Sequence, residues 1–255
     1  SSFTEKKMKT NIFKNIWLII LISSLIVLFF WKFFFKGLIP IPADITVGMY
    51  YPWLDYKWGY SVGVPVKNSL LSDVVSQIYP LRTYAMGLVK SGSLPLWNPL
   101  MFGGYPLLAN IQIGIFNPSN ILYLFFPDSF AWGMQTVGQS LLAVLFTYLF
   151  LRSLNLGKLP STLGGIIFAF SGFNTIWLEW NVHGWTTAFF VLLLYFTHHF
   201  FTKPKPLFGL LISLSLCFQI FSGYPQTVFY SLIVIGFYVL FMFKADLKKY
   251  SFFVL

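Results

Sequence analysis

A succession of long apolar runs constrains the fold of this chain more than any other feature. Each run approaches the roughly 20 residues that span the hydrocarbon layer of a membrane. They lie at 16–35, 130–151, 160–178, 185–201, 207–221 and 227–243, and residues 250–255 resemble the start of another. Charged residues make up only 9% of the chain, against about 25% in soluble domains. The sequence therefore predicts an all-α integral membrane protein, a polytopic helical bundle of about six to seven spans.

The basic residues predict how this bundle is oriented. The formal net charge is +10, and the lysines and arginines cluster before the first run and after the second, fourth and sixth runs. With residues 1–15 in the cytoplasm, each cluster falls on the cytoplasmic side, as the positive-inside rule requires. The positive charge is thus explained without a nucleic-acid partner. The predicted organisation is a first span at 16–35, an exterior loop at 36–129 and a transmembrane bundle at 130–255.

The exterior loop is predicted to carry helices that lie along the membrane interface. Apolar residues within 72–91 recur on one helical face, but the segment is too polar to span a membrane. Ser72 or Asp73 would cap the start of this helix, and Gly92 would end it. Pro80 predicts a kink or a division into two short helices.

The rest of the loop mixes aromatic rings with side-chain amides, as at Trp97, Asn98 and Gln112. Two interpretations are open. The rings anchor the chain in the headgroup layer, or they stack on sugars while the amides bind hydroxyl groups in a carbohydrate or lipid-phosphate site. Two short loops, 179–183 and 222–226, fall on the same face of the predicted membrane.

A series of motifs stands out along the chain. They are SDVVSQIYPLR at 72–82, GSLPLWNP at 92–99, FGGYPLLAN at 102–110, FAFSGF at 168–173 and GYPQT at 223–227. In this order they resemble the motifs of the bacterial YfhO-like membrane protein family. The stretch from Leu-Pro-Leu-Trp-Asn-Pro to Ala-Asn is the most distinctive part of the resemblance.

This resemblance implies both a fold and an activity. The YfhO-like family is related to the GT-C glycosyltransferases, many-span enzymes that use a sugar linked to polyprenyl phosphate and act outside the cytoplasm. Their long first outward loop carries interfacial helices and supplies an acidic residue to the active site. The implied reaction transfers a sugar to a cell-envelope glycan, polymer or lipid acceptor at the exterior face of the bacterial cytoplasmic (inner) membrane. Because family members are usually longer, we expect this chain to be an N-terminal part.

Such a transfer needs a base for the acceptor and a cation for the leaving phosphate. Asp73 is the first choice for the base, because Gln follows it four residues later as in the family pattern, although a helix-capping role is also open. Asp44, close after the first span, is the alternative base. The phosphate would face Arg82, Lys67 or Lys90. The predicted substrate-binding residues are Arg82, Lys67, Gln77, Tyr79, Trp97, Asn98, Asn110, Gln112, Glu179, His183 and Gln226.

The same residues also bear on other cofactors and functions. No metal-ligand spacing occurs, although Glu179 and His183 with an aspartate leave a divalent cation open. The chain lacks a Gly-rich nucleotide loop, which speaks against a soluble nucleotide-sugar donor. The alternatives to a transferase are a transporter or flippase for a lipid-linked saccharide and a non-catalytic membrane scaffold. Nearly uncharged spans without an internal repeat favour the transferase over the transporter.

Overall fold

The computed structural model describes residues 16–101 and 103–243. This part of the chain is mostly helical, which confirms the helical part of the predicted class. The predicted cytoplasmic segment 1–15 and the predicted last span at 250–255 lie outside the described residues. The α-helices are α1 Ile16–Phe29, α2 Trp31–Lys36, α3 Ala43–Met49, α4 Tyr79–Lys90, α5 Ile121–Phe125, α6 Asp128–Ser153, α7 Lys158–Ala169, α8 Gly172–Ile176, α9 His183–Thr202, α10 Pro206–Phe221 and α11 Pro225–Met242.

Two of the described helices, α6 and α11, are long and apolar enough to cross a membrane. Helices α1 and α10 are apolar but shorter. Helix α9 has 20 residues, but its threonine and histidine side chains lower its hydropathy. The count of six to seven spans therefore stays a prediction, and the helical character of the runs is what the structure supports.

The apolar run at 160–178 does not form one helix, so its prediction as a continuous span is wrong. Helix α7 ends at Ala169, α8 covers only five residues, and a 3₁₀ turn follows at Leu178–Trp180. The side chain of Asn174 donates a hydrogen bond to the carbonyl of Phe168 at 2.7 Å. This bond caps the end of α7 and stabilises the break.

Small residues let the long helices pack closely. Helix α9 lies between α6 and α10, and α7 packs on α6. Ala143, Val144, Ala169 and Ala188 form a buried cluster where α6, α7 and α9 meet. At Gly165 of α7, a Cβ atom would lie 2.7 Å from the carbonyl oxygen of Val144. Since the obstacle is backbone, it cannot rotate away.

We expect Gly165→Ala to destabilise the protein by about 1–3 kcal/mol, because the added methyl group overpacks the interface of α6 and α7. Gly236→Ala is the matched control: Gly236 also lies within a helix, and nothing stands within 4 Å of its added Cβ. Thermal unfolding in detergent would compare the two variants. Equal melting temperatures would contradict the close packing at Gly165.

The predicted helix at 72–91 is present, as a π-helical turn at Val74–Ile78 that continues into α4. Pro80 is the second residue of α4, so the predicted interruption is a change of helix type. Gly92 has a φ of +80° and its N–H donates to the carbonyl of Val89, which ends the helix. The prediction that Asp73 caps the start is wrong, because its side chain makes no capping hydrogen bond.

The inner face of α4 packs on other parts of the segment 36–129 and, through Met86, on Ala131 of α6. Leu81 and Ala85 pack with Leu107 and Ile113 in one buried cluster. A short antiparallel pair, β1 Trp97–Asn98 and β2 Tyr105–Pro106, lies between these elements. The segment thus wraps around α4 and presents its loops to α6, α8 and α9.

Candidate functional site

The residues of the exterior segment and the short loops meet around a cavity of about 420 Å³, which we call the aromatic cavity. The π-helical turn, the 3₁₀ turn at Ile111–Ile113, and the segments before α9 and α11 all contribute to its lining. Of the predicted site residues, it brings together Asp73, Gln77, Gln112 and His183. It also includes Trp180 and Tyr224, from the two short loops predicted to lie on the same face, and Asn68 and Trp177, which the sequence did not single out.

One wall of the aromatic cavity is a continuous row of rings around His183. The imidazole stacks on Trp177 with centroids 4.2 Å apart and an interplanar angle of 24°. The ring of Tyr224 lies 3.9 Å away, and Trp180 meets the imidazole edge-on at 6.1 Å. Such a wall offers a flat apolar surface to an occupant of the cavity.

The His183 imidazole is held in its neutral form. The residue is 3% exposed, and neither ring nitrogen has a hydrogen-bond partner among the described residues. Burial lowers the pKa of His183 to about 4. A neutral imidazole has one donor and one acceptor, and leaving such groups unpaired costs about 1–3 kcal/mol each. Because both nitrogens are buried, His183 contributes to the cavity through its ring rather than through hydrogen bonds.

The Asp73 carboxylate is exposed at the edge of the aromatic cavity, directly before the π-helical turn. Gln77 follows one turn later and also lines a neighbouring cavity of about 350 Å³. That second cavity includes Asn110, another predicted residue. The side-chain oxygen of Asn110 accepts the N–H of Gln112 at 3.2 Å and so fixes the turn that carries Gln112.

A second large cavity, which we call the apolar cavity, has a volume of about 730 Å³. Its lining is mainly residues 29–33 and 38–41, and its polar members are Lys32, Lys67, Thr175 and Glu179. It shares Ile176 with the aromatic cavity, so the two adjoin. An apolar chain fits the first part of the lining, and an anion fits Lys67.

Asp44, Lys67 and Glu179 form a charged cluster beside the apolar cavity. The Asp44 carboxylate accepts the backbone N–H of Lys67 at 2.9 Å. Burial raises the pKa of Glu179, the nearby Asp44 raises it further, and Lys67 opposes the shift. Of the two predicted catalytic carboxylates, Asp73 lines the aromatic cavity, whereas Asp44 lines neither the aromatic nor the apolar cavity.

The prediction that Arg82 faces a phosphate is wrong, because the residue is only 1% exposed. It lies on the inward face of α4, one turn from Ile78 and Met86, which are also buried. The guanidinium is 5.3 Å from the ring of Trp132. Burial lowers the pKa of Arg82, and Tyr123 opposes this shift. Among the described residues, no carboxylate forms an ion pair with it.

The remaining basic candidate and one tyrosine also have structural partners. Lys90 forms an ion pair with Asp128 at 2.8 Å, so its charge is already engaged. Tyr79 is half-buried, with its ring edge-on to Trp132 at 5.2 Å. Burial raises the pKa of Tyr79, and Asp128 adds to the increase. Neither Lys90 nor Tyr79 lines the aromatic or apolar cavity.

The other predicted residues lie outside the two large cavities. Asn98 is buried and accepts the N–H of Leu100 at 2.9 Å, which makes it a turn residue. Trp97 is exposed and covers Gly104 of the hairpin. Gln226 is exposed and connects Tyr224 to Tyr230 through hydrogen bonds of 3.1 and 2.8 Å.

The described residues contain no group of three or more His, Cys, Asp or Glu side chains that could hold a metal ion. No protein-family model, curated protein or solved structure matches the chain. The resemblance to the YfhO-like family therefore stays a prediction.

Proposed function

We propose that this chain is a GT-C-type membrane glycosyltransferase that moves a sugar from a polyprenyl-phosphate carrier to a cell-envelope acceptor. The observation that carries the proposal is the adjacency of two unlike cavities. One is lined by aromatic rings, amides and a carboxylate, and the other mainly by apolar side chains, with two lysines and Glu179. A lipid-linked sugar needs such a pair of environments.

The apolar cavity suits the polyprenyl phosphate. Phe29, Phe30 and Phe33 lie in the lining and offer apolar surface to an isoprenoid chain. Lys67 supplies a positive charge for the phosphate. Its place beside Ile176, where the cavities adjoin, would direct the sugar towards the aromatic cavity.

The aromatic cavity suits a sugar. Pyranose rings have apolar faces that pack on aromatic side chains and hydroxyl groups that need hydrogen-bond partners. Trp177 and Tyr224 provide ring surface, while Gln77 and Gln112 provide donors and acceptors. Its volume of about 420 Å³ lies in the usual range of ligand pockets.

The proposed reaction uses Asp73 as its base. The acceptor hydroxyl oxygen forms a bond to the anomeric carbon of the sugar as its proton passes to the Asp73 carboxylate. The bond from that carbon to the phosphate oxygen breaks, and polyprenyl phosphate leaves with the electron pair. Asp73 is favoured over Asp44 because it lines the aromatic cavity, whereas Asp44 is hydrogen-bonded to the backbone of Lys67.

The location we propose is the bacterial cytoplasmic membrane, with a multi-pass bundle and an inside N-terminus. Helix α11 supports a membrane setting because its apolar residues are little buried: Phe229 is 61% exposed and Phe241 is 82% exposed. Exposed apolar surface costs about 25 cal/mol per Å² in water. The hydrocarbon of a bilayer would remove that cost.

A lipid-binding measurement tests the proposal directly. The purified protein in lipid nanodiscs should bind a polyprenyl phosphate more tightly than the matching polyprenol. Lys67→Gln should weaken phosphate binding by roughly 10- to 150-fold, since a charge-assisted hydrogen bond contributes about 1.5–3 kcal/mol. Binding of the alcohol should not change.

Lys203→Gln is the matched control, because Lys203 is exposed at the other end of the bundle, after α9. It should leave both affinities unchanged. Equal affinity for polyprenyl phosphate and polyprenol, or equal losses in the two variants, would contradict the proposed donor site.

A further inference from the structure

The guanidinium of Arg82 connects the two walls of the aromatic cavity. Its Nε donates to the carbonyl of Ile113 at 2.8 Å, and its Nη1 donates to the carbonyl of Asn181 at 3.2 Å. Ile113 follows Gln112 in one wall, and Asn181 lies between Trp180 and His183 in the other.

A helix inside the bundle supports the same group. Arg82 Nη1 also donates to the side-chain oxygen of Gln135 in α6 at 3.3 Å. The Gln135 amide nitrogen in turn donates to Ser119 and Asn120, each at 2.8 Å. The side-chain amide of Asn181 also donates a hydrogen bond to the carbonyl of Trp132 in α6, at 3.0 Å.

The backbone conformation of Asn181 explains why its hydrogen bond with Arg82 matters for the cavity. Asn181 adopts the left-handed conformation, with a φ of +56°. Non-glycine residues rarely adopt this conformation, and it is maintained where surrounding contacts determine it. The bond from Arg82 and the bond to Trp132 hold Asn181 on both sides. The orientation of the next residues, Val182 and His183, depends on this turn.

We propose that Arg82 is a positioning residue that sets the separation of the Gln112 wall and the Trp180–His183 wall. Its planar fork reaches two carbonyl groups in different directions, which a lysine ammonium on a flexible stem does not fix. A charge buried without a carboxylate is costly. The bonds of Nε and Nη1 to the two walls offset part of that cost, while Nη2 has no hydrogen-bond partner among the described residues. The inference deepens the proposed function, because the separated walls are those that would hold the sugar.

The distance between the walls tests the proposal without any substrate. Spin labels would be attached to cysteines introduced at Gln112 and Ile176, two exposed cavity residues, after Cys217 is replaced by serine. Electron–electron resonance should give a narrow distance distribution in the parent. Arg82→Lys should broaden it and add a longer-distance population, whereas Arg152→Lys, at an exposed arginine, should not.

A second label pair separates positioning from general stability. Labels at Leu145 of α6 and Leu214 of α10 report on the bundle, and Arg82→Lys should leave their distance unchanged. A broadened bundle distance or an unchanged cavity distance would overturn the proposal. If Arg82→Lys does not fold, Gln135→Met removes one of its acceptors and should broaden the cavity distance by a smaller amount. Since no substrate is used, failure here and failure of polyprenyl phosphate binding are distinguishable.

Discussion

Replacing Asp73 with asparagine is expected to lower the rate of glycosyl transfer by roughly 10²–10⁴-fold. Asparagine retains the size of the side chain and its ability to bond hydroxyl groups, but it cannot accept the acceptor's proton. The amount of folded protein should not change, because Asp73 is exposed and makes no capping hydrogen bond. The measurement is the initial rate with a synthetic polyprenyl-phosphate sugar, normalised to folded protein.

Asp55→Asn is the matched control, since Asp55 is exposed but lines neither the aromatic nor the apolar cavity. It should transfer sugar at the parent rate. Loss of transfer in Asp44→Asn with a normal rate in Asp73→Asn would assign the base to Asp44. Normal rates in both variants would eliminate a carboxylate base from these positions. Movement of a lipid-linked saccharide across vesicles without transfer would favour the transporter.

The sequence predicts helices well here because their signal is local. Apolar runs and the spacing at 72–91 indicate helices directly, and Gly92 ends α4 as its conformational freedom suggests. The break after Ala169 was not predicted, since the run at 160–178 is apolar throughout much of its length. It depends on the hydrogen bond from Asn174 to Phe168, and hydropathy does not detect such a bond.

Part of the candidate site was predicted from the expected topology rather than from local patterns. The expected topology places several loops on one face, and Asp73, Gln112 and His183 do line one cavity. The burial of Arg82 could not be predicted from the expected topology. An arginine on an amphipathic helix is expected to face solvent. Burial of the Arg82 guanidinium requires hydrogen-bond acceptors from distant segments, such as the carbonyl of Asn181.

The aromatic wall was missed because single tryptophans carry little information about partners. Trp177 and Trp180 lie three residues apart in the sequence, and both flank the predicted Glu179. The three-residue spacing of these tryptophans was the sequence signal that could have indicated an aromatic wall. Only the stacking of Trp177 on His183, across the turn before α9, identifies the pair as a cavity wall.

Acidification should destabilise the protein through His183, by up to about 3 kcal/mol between pH 6.5 and pH 4. The pKa of His183 falls from its ordinary value near 6.5 to about 4 on folding. Between these values the unfolded chain binds a proton that the folded chain does not. Stability attributable to His183 is therefore complete above about pH 6.5 and decreases as the pH falls, until protonation of the folded state near pH 4 limits the loss.

Thermal unfolding of the parent and of His183→Phe, in the same detergent from pH 7.5 to pH 4, isolates this contribution. Phenylalanine keeps the ring packing against Trp177 and Tyr224 but does not titrate, so its melting temperature should fall less on acidification. Other titrating groups are common to both proteins and cancel in the difference. His199→Phe, at the other end of α9, retains His183 and should keep most of the parent's acid sensitivity. Parallel curves for the parent and His183→Phe would contradict a buried, neutral imidazole in the wall of the aromatic cavity.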